Sequence, residues 1–141
     1  MNFPFASISN SELETGLIAK KFTAMLKSGD VILLNGELGS GKTFFVKQIC
    51  KEFKIDSAAS PSFAIVNEYH NGKKIVHFDF YRIKKIEELY DIGFEEYFND
   101  ERIVFIEWSN MFSNILPKRN YQIEFIYINS TSREISIIKH E

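Results

Sequence analysis

Residues 31–53 read VILLNGELGSGKTFFVKQICKEF. Val31 to Leu34 is short and continuously apolar, as expected of a strand covered on both faces. Gly36, Gly41, Lys42 and Thr43 then satisfy G-x-x-x-x-G-K-[ST] in full. After them Val46, Ile49, Cys50 and Phe53 recur at helical spacing. In this order of strand, loop and helix, the glycines let consecutive backbone N–H groups converge on phosphate oxygens, and the helix turns its positive end toward them. Lys42 would neutralise the β and γ phosphates, and Thr43 would offer its hydroxyl to Mg²⁺. The stretch therefore predicts a nucleotide site made by Gly36, Glu37, Leu38, Gly39, Ser40, Gly41, Lys42 and Thr43.

The rest of the chain bounds what can surround that loop. With 141 residues, 45% of them hydrophobic and 15% aromatic, residues 1–141 read as one compact domain with a sizeable core around the P-loop. The formal charge is −2 and no dense Lys/Arg block appears, so electrostatics gives no argument for tight nucleic-acid or anionic-membrane binding. Cys50 is the only cysteine and has no intramolecular disulfide partner. The start, MNFPFASISNSELE, has neither the basic opening nor the apolar run of a signal peptide, and no stretch is long enough to span a bilayer. The expectation is a cytoplasmic protein with no membrane partner.

Upstream of the loop, SNSELETGLIAKKFTAMLKSGD predicts a helix. Ser11 and Glu14 form a capping box, Leu13, Leu17, Ile18, Met25 and Leu26 share a face, and Gly29 is the stop. Downstream, Asn71-Gly72 lies between two apolar or alternating runs and predicts a hairpin with strands at about 63–70 and 73–80. KIEELYDIGFEEYFND, broken by Gly93, predicts two short helices. RIVFIEW is a further buried strand, and YQIEFIYIN and REISIIKH alternate with period 2 about Ser130, Thr131 and Ser132, giving a C-terminal antiparallel hairpin. The fold class is α/β: a P-loop NTPase-like domain whose mixed central sheet is flanked by helices, with one hairpin in the N-terminal half and one at the C-terminus.

Phosphate-bound Mg²⁺ takes a second anchor from an acid at the end of a neighbouring buried strand. Glu107 after Ile103–Ile106 and Asp79 after Ile75–Phe78 both have that position. A guanine-specific enzyme would carry an N-K-x-D segment; none is present, which favours ATP. Four scattered arginines, Arg82, Arg102, Arg119 and Arg133, form no lid able to clamp a phosphoryl acceptor. That pattern reads as a hydrolase whose conformational change serves something else, with a small-molecule kinase and a non-catalytic ATP-binding module as the other readings.

GELGSGKT, SPSFAIVNEY, HFDFYR, EELYDIGFEEYF and IEWS, in this order and spacing, resemble the TsaE (YjeE) family of bacterial ATPases, from the first helix to Arg133. The resemblance implies a part in making threonylcarbamoyladenosine in tRNAs that read codons starting with A. It implies TsaD, which transfers the threonylcarbamoyl group, and TsaB as partners, tRNA met indirectly through their complex, and ATP hydrolysis that supports turnover of that complex. By the same resemblance Gly36 to Thr43 bind the triphosphate with Lys42, Thr43 and Glu107 hold Mg²⁺, and Asp79 orders either the metal's water shell or the attacking water. Ser11 and Arg133 match positions near the base and ribose. Ser60, Pro61 and Ser62 match a switch-like loop, or else form a plain turn into the hairpin, with Glu68 on the strand after it. Trp108 faces a partner or the switch, though a lone tryptophan at a strand end is also an ordinary core residue. Arg82 contacts phosphate or pairs with an acid such as Glu68.

Three positions depart from the family pattern: Ser40 stands for alanine, Ser62 for threonine, and Phe44 for a second threonine. None removes a required donor. His70, His77 and His140 have no metal-ligand spacing, and Cys50 on the apolar helix face reads as core. The acids Glu87, Glu88, Asp91, Glu95 and Glu96, interleaved with aromatics, are either a solvated face over packed rings or a docking surface.

Overall fold

The computed structural model describes residues 1–55 and 65–141. One seven-stranded sheet runs through them in the order β1-β7-β6-β2-β5-β4-β3. Its strands are β1 (Phe5–Ser9), β2 (Val31–Gly36), β3 (Val66–Asn71), β4 (Lys73–Asp79), β5 (Arg102–Glu107), β6 (Asn120–Tyr127) and β7 (Arg133–His140). The middle four, β6, β2, β5 and β4, are parallel; the edges are added antiparallel, β3 on β4 and β1 on β7 on β6. This is the mixed α/β architecture expected, with both hairpins present.

Parallel strands must be covered on both faces. On one face α1 (Glu12–Thr23) and α2 (Lys42–Glu52) pack Ala19, Phe22, Phe45, Val46 and Ile49 against Ile32, Leu34, Phe105, Ile123 and Phe125. Edge-to-face rings, Phe22 on Tyr121 at 5.2 Å and Phe45 on Phe125 at 5.4 Å, join the layers. On the other face α3 (Glu87–Asp91) and the 3₁₀ turns at Phe94–Tyr97 and Ser109–Ile115 lay Leu89, Phe94, Phe112 and Ile115 over Val76, Phe78, Val104 and Ile106.

Several expectations need correction. Helix α1 ends at Thr23 with Ala24 as its cap, not at Gly29. Its buried face is Thr15, Ala19, Phe22 and Thr23, whereas Leu13 and Leu17 are 75% and 53% exposed. Helix α1 packs on α2, where a Cβ on Gly16 would meet Gln48 at an ordinary contact distance of 3.6 Å, and it is the face of Thr15, Ala19 and Phe22 that turns inward. At the Asn71-Gly72 turn, Asn71 pairs with Lys73, leaving Gly72 (φ +75°) alone at the tip, so the two-residue turn expected there is not formed. Strand β1 had no counterpart in the sequence reading; its five residues pair with β7 in a register set by Ile8↔Glu134 and Ser9↔Arg133.

Candidate functional site

All chemistry-bearing strand ends meet at one edge. β2 runs directly into the glycine loop, and the β4–β5 register sets Asp79 beside Glu107 at the carboxyl ends of their strands. This is where open parallel sheets bind ligands, because the loops diverge there and leave a crevice.

At the start of the loop, Gly36 has φ +151°; a Cβ there would lie 2.6 Å from the Phe125 carbonyl oxygen and 2.7 Å from Ser40 Oγ. Only glycine lets the chain leave β2 so close to β6. Gly41 (φ +109°) caps α2, and a Cβ on it would meet Arg133 Nη1 at 2.7 Å. Lys42 is buried; its Nζ donates to the Gly36 carbonyl and, at 2.9 Å, to that of Glu37, and stands 4.3 Å from the centre of the Trp108 ring. Burial holds the ammonium below its ordinary pKa, while the charges of Glu107, Asp79 and Glu37 work against that shift.

Beside the lysine, Thr43 Oγ1 lies 2.9 and 3.1 Å from the two Glu107 carboxylate oxygens, and His77 Nε2 lies 2.5 Å from Oε2 of the same group. Desolvation would raise the Glu107 pKa, but the bonds from His77 and Thr43 and the charges of His77 and Lys42 outweigh it and leave it below the ordinary value. Asp79 is less favoured. Its burial, reinforced by the charge of Glu107, raises its pKa against the Tyr81 N–H bond (3.0 Å) and the charges of His77 and Arg82.

Arg82 lies 3.8 Å from Asp79 Oδ2, so the acid it meets is Asp79, not Glu68. Glu68 is exposed and pairs in register with Val76, on the sheet face opposite His77, and takes no place among these groups. Trp108 follows Glu107 in a left-handed conformation (φ +59°), a placement costing on the order of 1 kcal/mol. Its N–H bonds to the Leu34 carbonyl, and buried Asn35 accepts from Ser109 Oγ and Asn110 N–H just beyond. On its outer side Tyr81, half exposed, packs against the tryptophan with ring centres 4.9 Å apart.

Ser11 caps α1, accepting from Glu14 N–H at 3.1 Å, while the Glu14 carboxylate takes the Asn10 N–H. Ser132 Oγ donates to Asn10 Oδ1 at 2.9 Å, so the cap of α1 and the start of β7 share one corner. From that corner Arg133 reaches the loop and donates through Nη1 to the Ser40 carbonyl at 3.3 Å. Ser60, Pro61 and Ser62 lie outside the described residues. Cys50 is fully buried, which pushes its thiol up to about 11.

These groups fit a magnesium nucleotide. Cis ligands about 2.1 Å from an octahedral ion are about 3 Å apart, which is the spacing of Thr43 Oγ1 from the Glu107 oxygens. Among the described residues no cluster of three or more His, Cys, Asp or Glu side chains could hold a metal. Mg²⁺ suits such a sparse donor set because it keeps waters and shares phosphate oxygens. Ser40 Oγ and Arg133 Nε are buried at the loop without hydrogen-bond partners among the described residues.

Sequence reasoning passed over two residues here. His77 has no metal-ligand spacing, yet it occupies the same strand face as Asp79, two residues on, which is the available signal. Asn35 is a polar residue closing an otherwise apolar strand, a pattern that marks a buried hydrogen-bonding role.

Comparison with known proteins agrees with the resemblance. The family model described as threonylcarbamoyl adenosine biosynthesis protein TsaE matches residues 9–135. A Rickettsia prowazekii protein named tRNA threonylcarbamoyladenosine biosynthesis protein TsaE is 41% identical over 133 residues, 92% of each chain. A Bacillus subtilis protein of the same name is 37% identical over 125 residues, 87% of this chain and 78% of that one. The crystal structure of Bacillus subtilis YdiB superposes with a TM-score of 0.81 at 29% identity, covering 100% of this chain and 88% of the other.

Proposed function

The chain belongs to the TsaE family of threonylcarbamoyl adenosine biosynthesis proteins, and from that premise we propose that it is a P-loop ATPase working in tRNA threonylcarbamoyladenosine synthesis. It binds ATP with Mg²⁺ and hydrolyses it, slowly alone and faster with TsaB and TsaD, to support turnover of their threonylcarbamoyl-transfer complex. tRNA is met indirectly, through that complex. Residues 1–141 act as one ATPase domain.

The observation that carries the reading is the Thr43 hydroxyl held against both oxygens of the Glu107 carboxylate, directly beside a glycine loop and its buried lysine. Gly36 to Thr43 would grip the triphosphate with backbone N–H groups, and Lys42 would exchange its carbonyl partners for phosphate oxygens. Thr43 and Glu107 would hold Mg²⁺, whose charge offsets that gathering on the phosphates during transfer. Asp79, already above its ordinary pKa, would order water on the metal or the water that attacks. Ser11 and Arg133 would face the base and ribose side; Ser60, Ser62, Glu68, Arg82 and Trp108 would serve the switch or the partner surface. No arginine is free at the phosphates among the described residues: Arg82 is beside Asp79 and Arg133 is on Ser40. Activation is therefore assembled at the partner interface, by ordering of the switch or by a partner side chain.

Steady-state phosphate release from ATP by wild type and Glu107→Gln, each alone and with TsaB and TsaD, tests this. Stimulation confined to wild type is expected. Turnover unchanged by the partners, or by the substitution, would overturn the reading.

A further inference from the structure

Glu107 is held from two sides, and only one belongs to the nucleotide loop. Thr43 reaches it from α2; His77 reaches it from β4, diagonally across the strand pair, since His77 stands opposite Phe105 in the register and Glu107 is two residues further on. Both side chains are drawn from water, His77 at 12% exposure and Glu107 at 6%. A carboxylate so buried has several rotamers open to it in principle, and one that must meet both a metal and a threonine hydroxyl works in only one of them. Thr43 can bind a cation through a lone pair and still donate its one proton to Glu107, but a single bond from the α2 side leaves the second carboxylate oxygen to be fixed from elsewhere.

We infer that His77 is a positioning residue for the metal half of this site: its Nε2 holds Glu107 Oε2 and thereby presents Oε1 beside Thr43 Oγ1. The inference rests on the proposal that Thr43 and Glu107 bind Mg²⁺ with ATP. It adds a residue outside the loop, two positions before Asp79, that acts through Glu107 and touches neither nucleotide nor metal. Partners of this kind, behind a metal's direct ligands, typically govern 10- to 100-fold of metal affinity.

The test is calorimetric titration of ATP, with Mg²⁺ and again with EDTA, into wild type, His77→Phe and His77→Gln, with thermal melting of each protein. Phenylalanine keeps the ring volume without a donor; glutamine carries an N–H to about the place of Nε2. The Mg²⁺-dependent gain in ATP affinity should fall about 10- to 100-fold in His77→Phe and return to within a few fold of wild type in His77→Gln, with ATP affinity in EDTA unchanged in all three. A folded His77→Phe protein with the wild-type Mg²⁺ gain would overturn the inference, as would an equal loss of affinity with and without Mg²⁺, which marks a merely structural role. Should His77→Phe not fold, a His77→Gln protein that melts like wild type but lacks the Mg²⁺ gain overturns it equally. If wild type itself shows no Mg²⁺ gain, the metal reading of Thr43 and Glu107 falls first and takes this inference with it.

Discussion

The Asp79 carboxylate stands beside that of Glu107 in the β4–β5 register, half-buried, with Arg82 no nearer than 3.8 Å as a counter-charge. Burial and Glu107 together raise its pKa from 3.8. A carboxyl whose folded pKa is raised costs stability above that pKa, and the cost disappears as pH falls below the unfolded value. Asp79→Asn should therefore raise the nucleotide-free melting temperature at pH 7 by a few degrees, since the amide oxygen can still accept the Tyr81 N–H. The gain should shrink as pH falls through the raised pKa and vanish below the ordinary value of 3.8, where the carboxyl is protonated in both states. Phosphate release should fall in the same variant, the expected exchange of activity for stability at a functional site. Paired melting and turnover measurements across pH check both halves; an Asp79→Asn protein less stable than wild type at pH 7 would show that the Arg82 contact outweighs the repulsion.

Helix α1 shows where pattern and packing part. Its N-terminus was legible: Ser11 with Glu14 three residues on is a start signal, and Ser11 does accept the Glu14 N–H. Its buried face was legible in part: Ile18 and Leu26 do pack on the core, whereas Leu13 and Leu17 are exposed and Thr15, Ala19 and Phe22, which hydropathy ranks together no better than the leucines, are buried. Buried Thr15 meets Ser9 Oγ at 2.7 Å, a partner on a strand the sequence did not announce. Replacing Leu13 or Leu17 with Lys should accordingly change unfolding free energy by no more than about 0.5 kcal/mol, as for open surface positions. Ser11→Ala should cost about 1 kcal/mol through loss of the cap. Urea unfolding of the three variants decides it, and a leucine substitution costing more than the serine one would restore the expected face.

At the scale of the molecule, the sequence could announce that Val31–Gly36 and Arg102–Glu107 are buried strands but not that they lie side by side. Parallel pairing joins segments far apart in the chain and leaves no local turn signal, unlike the hairpins of β3 with β4 and β6 with β7. That pairing, and β4 on the far side of β5, is what gathers the glycine loop, Glu107 and Asp79 at one sheet edge. Arg133 then links the last strand to the loop through Ser40. A ligand held at this edge ties β2, β4, β5 and β7 together and binds only the folded chain, so ATP with Mg²⁺ at 100 times its Kd should add about 2.7 kcal/mol of stability. For a chain of this size that is a rise of about 10 °C in Tm. With EDTA most of the rise should vanish, because the Asp79 and Glu107 charges would then face the phosphates with no cation between them. Lys42→Ala should abolish it with or without the metal. An equal rise in EDTA would mean that the two acids at this edge serve the fold and not the metal, and that the P-loop alone holds the nucleotide.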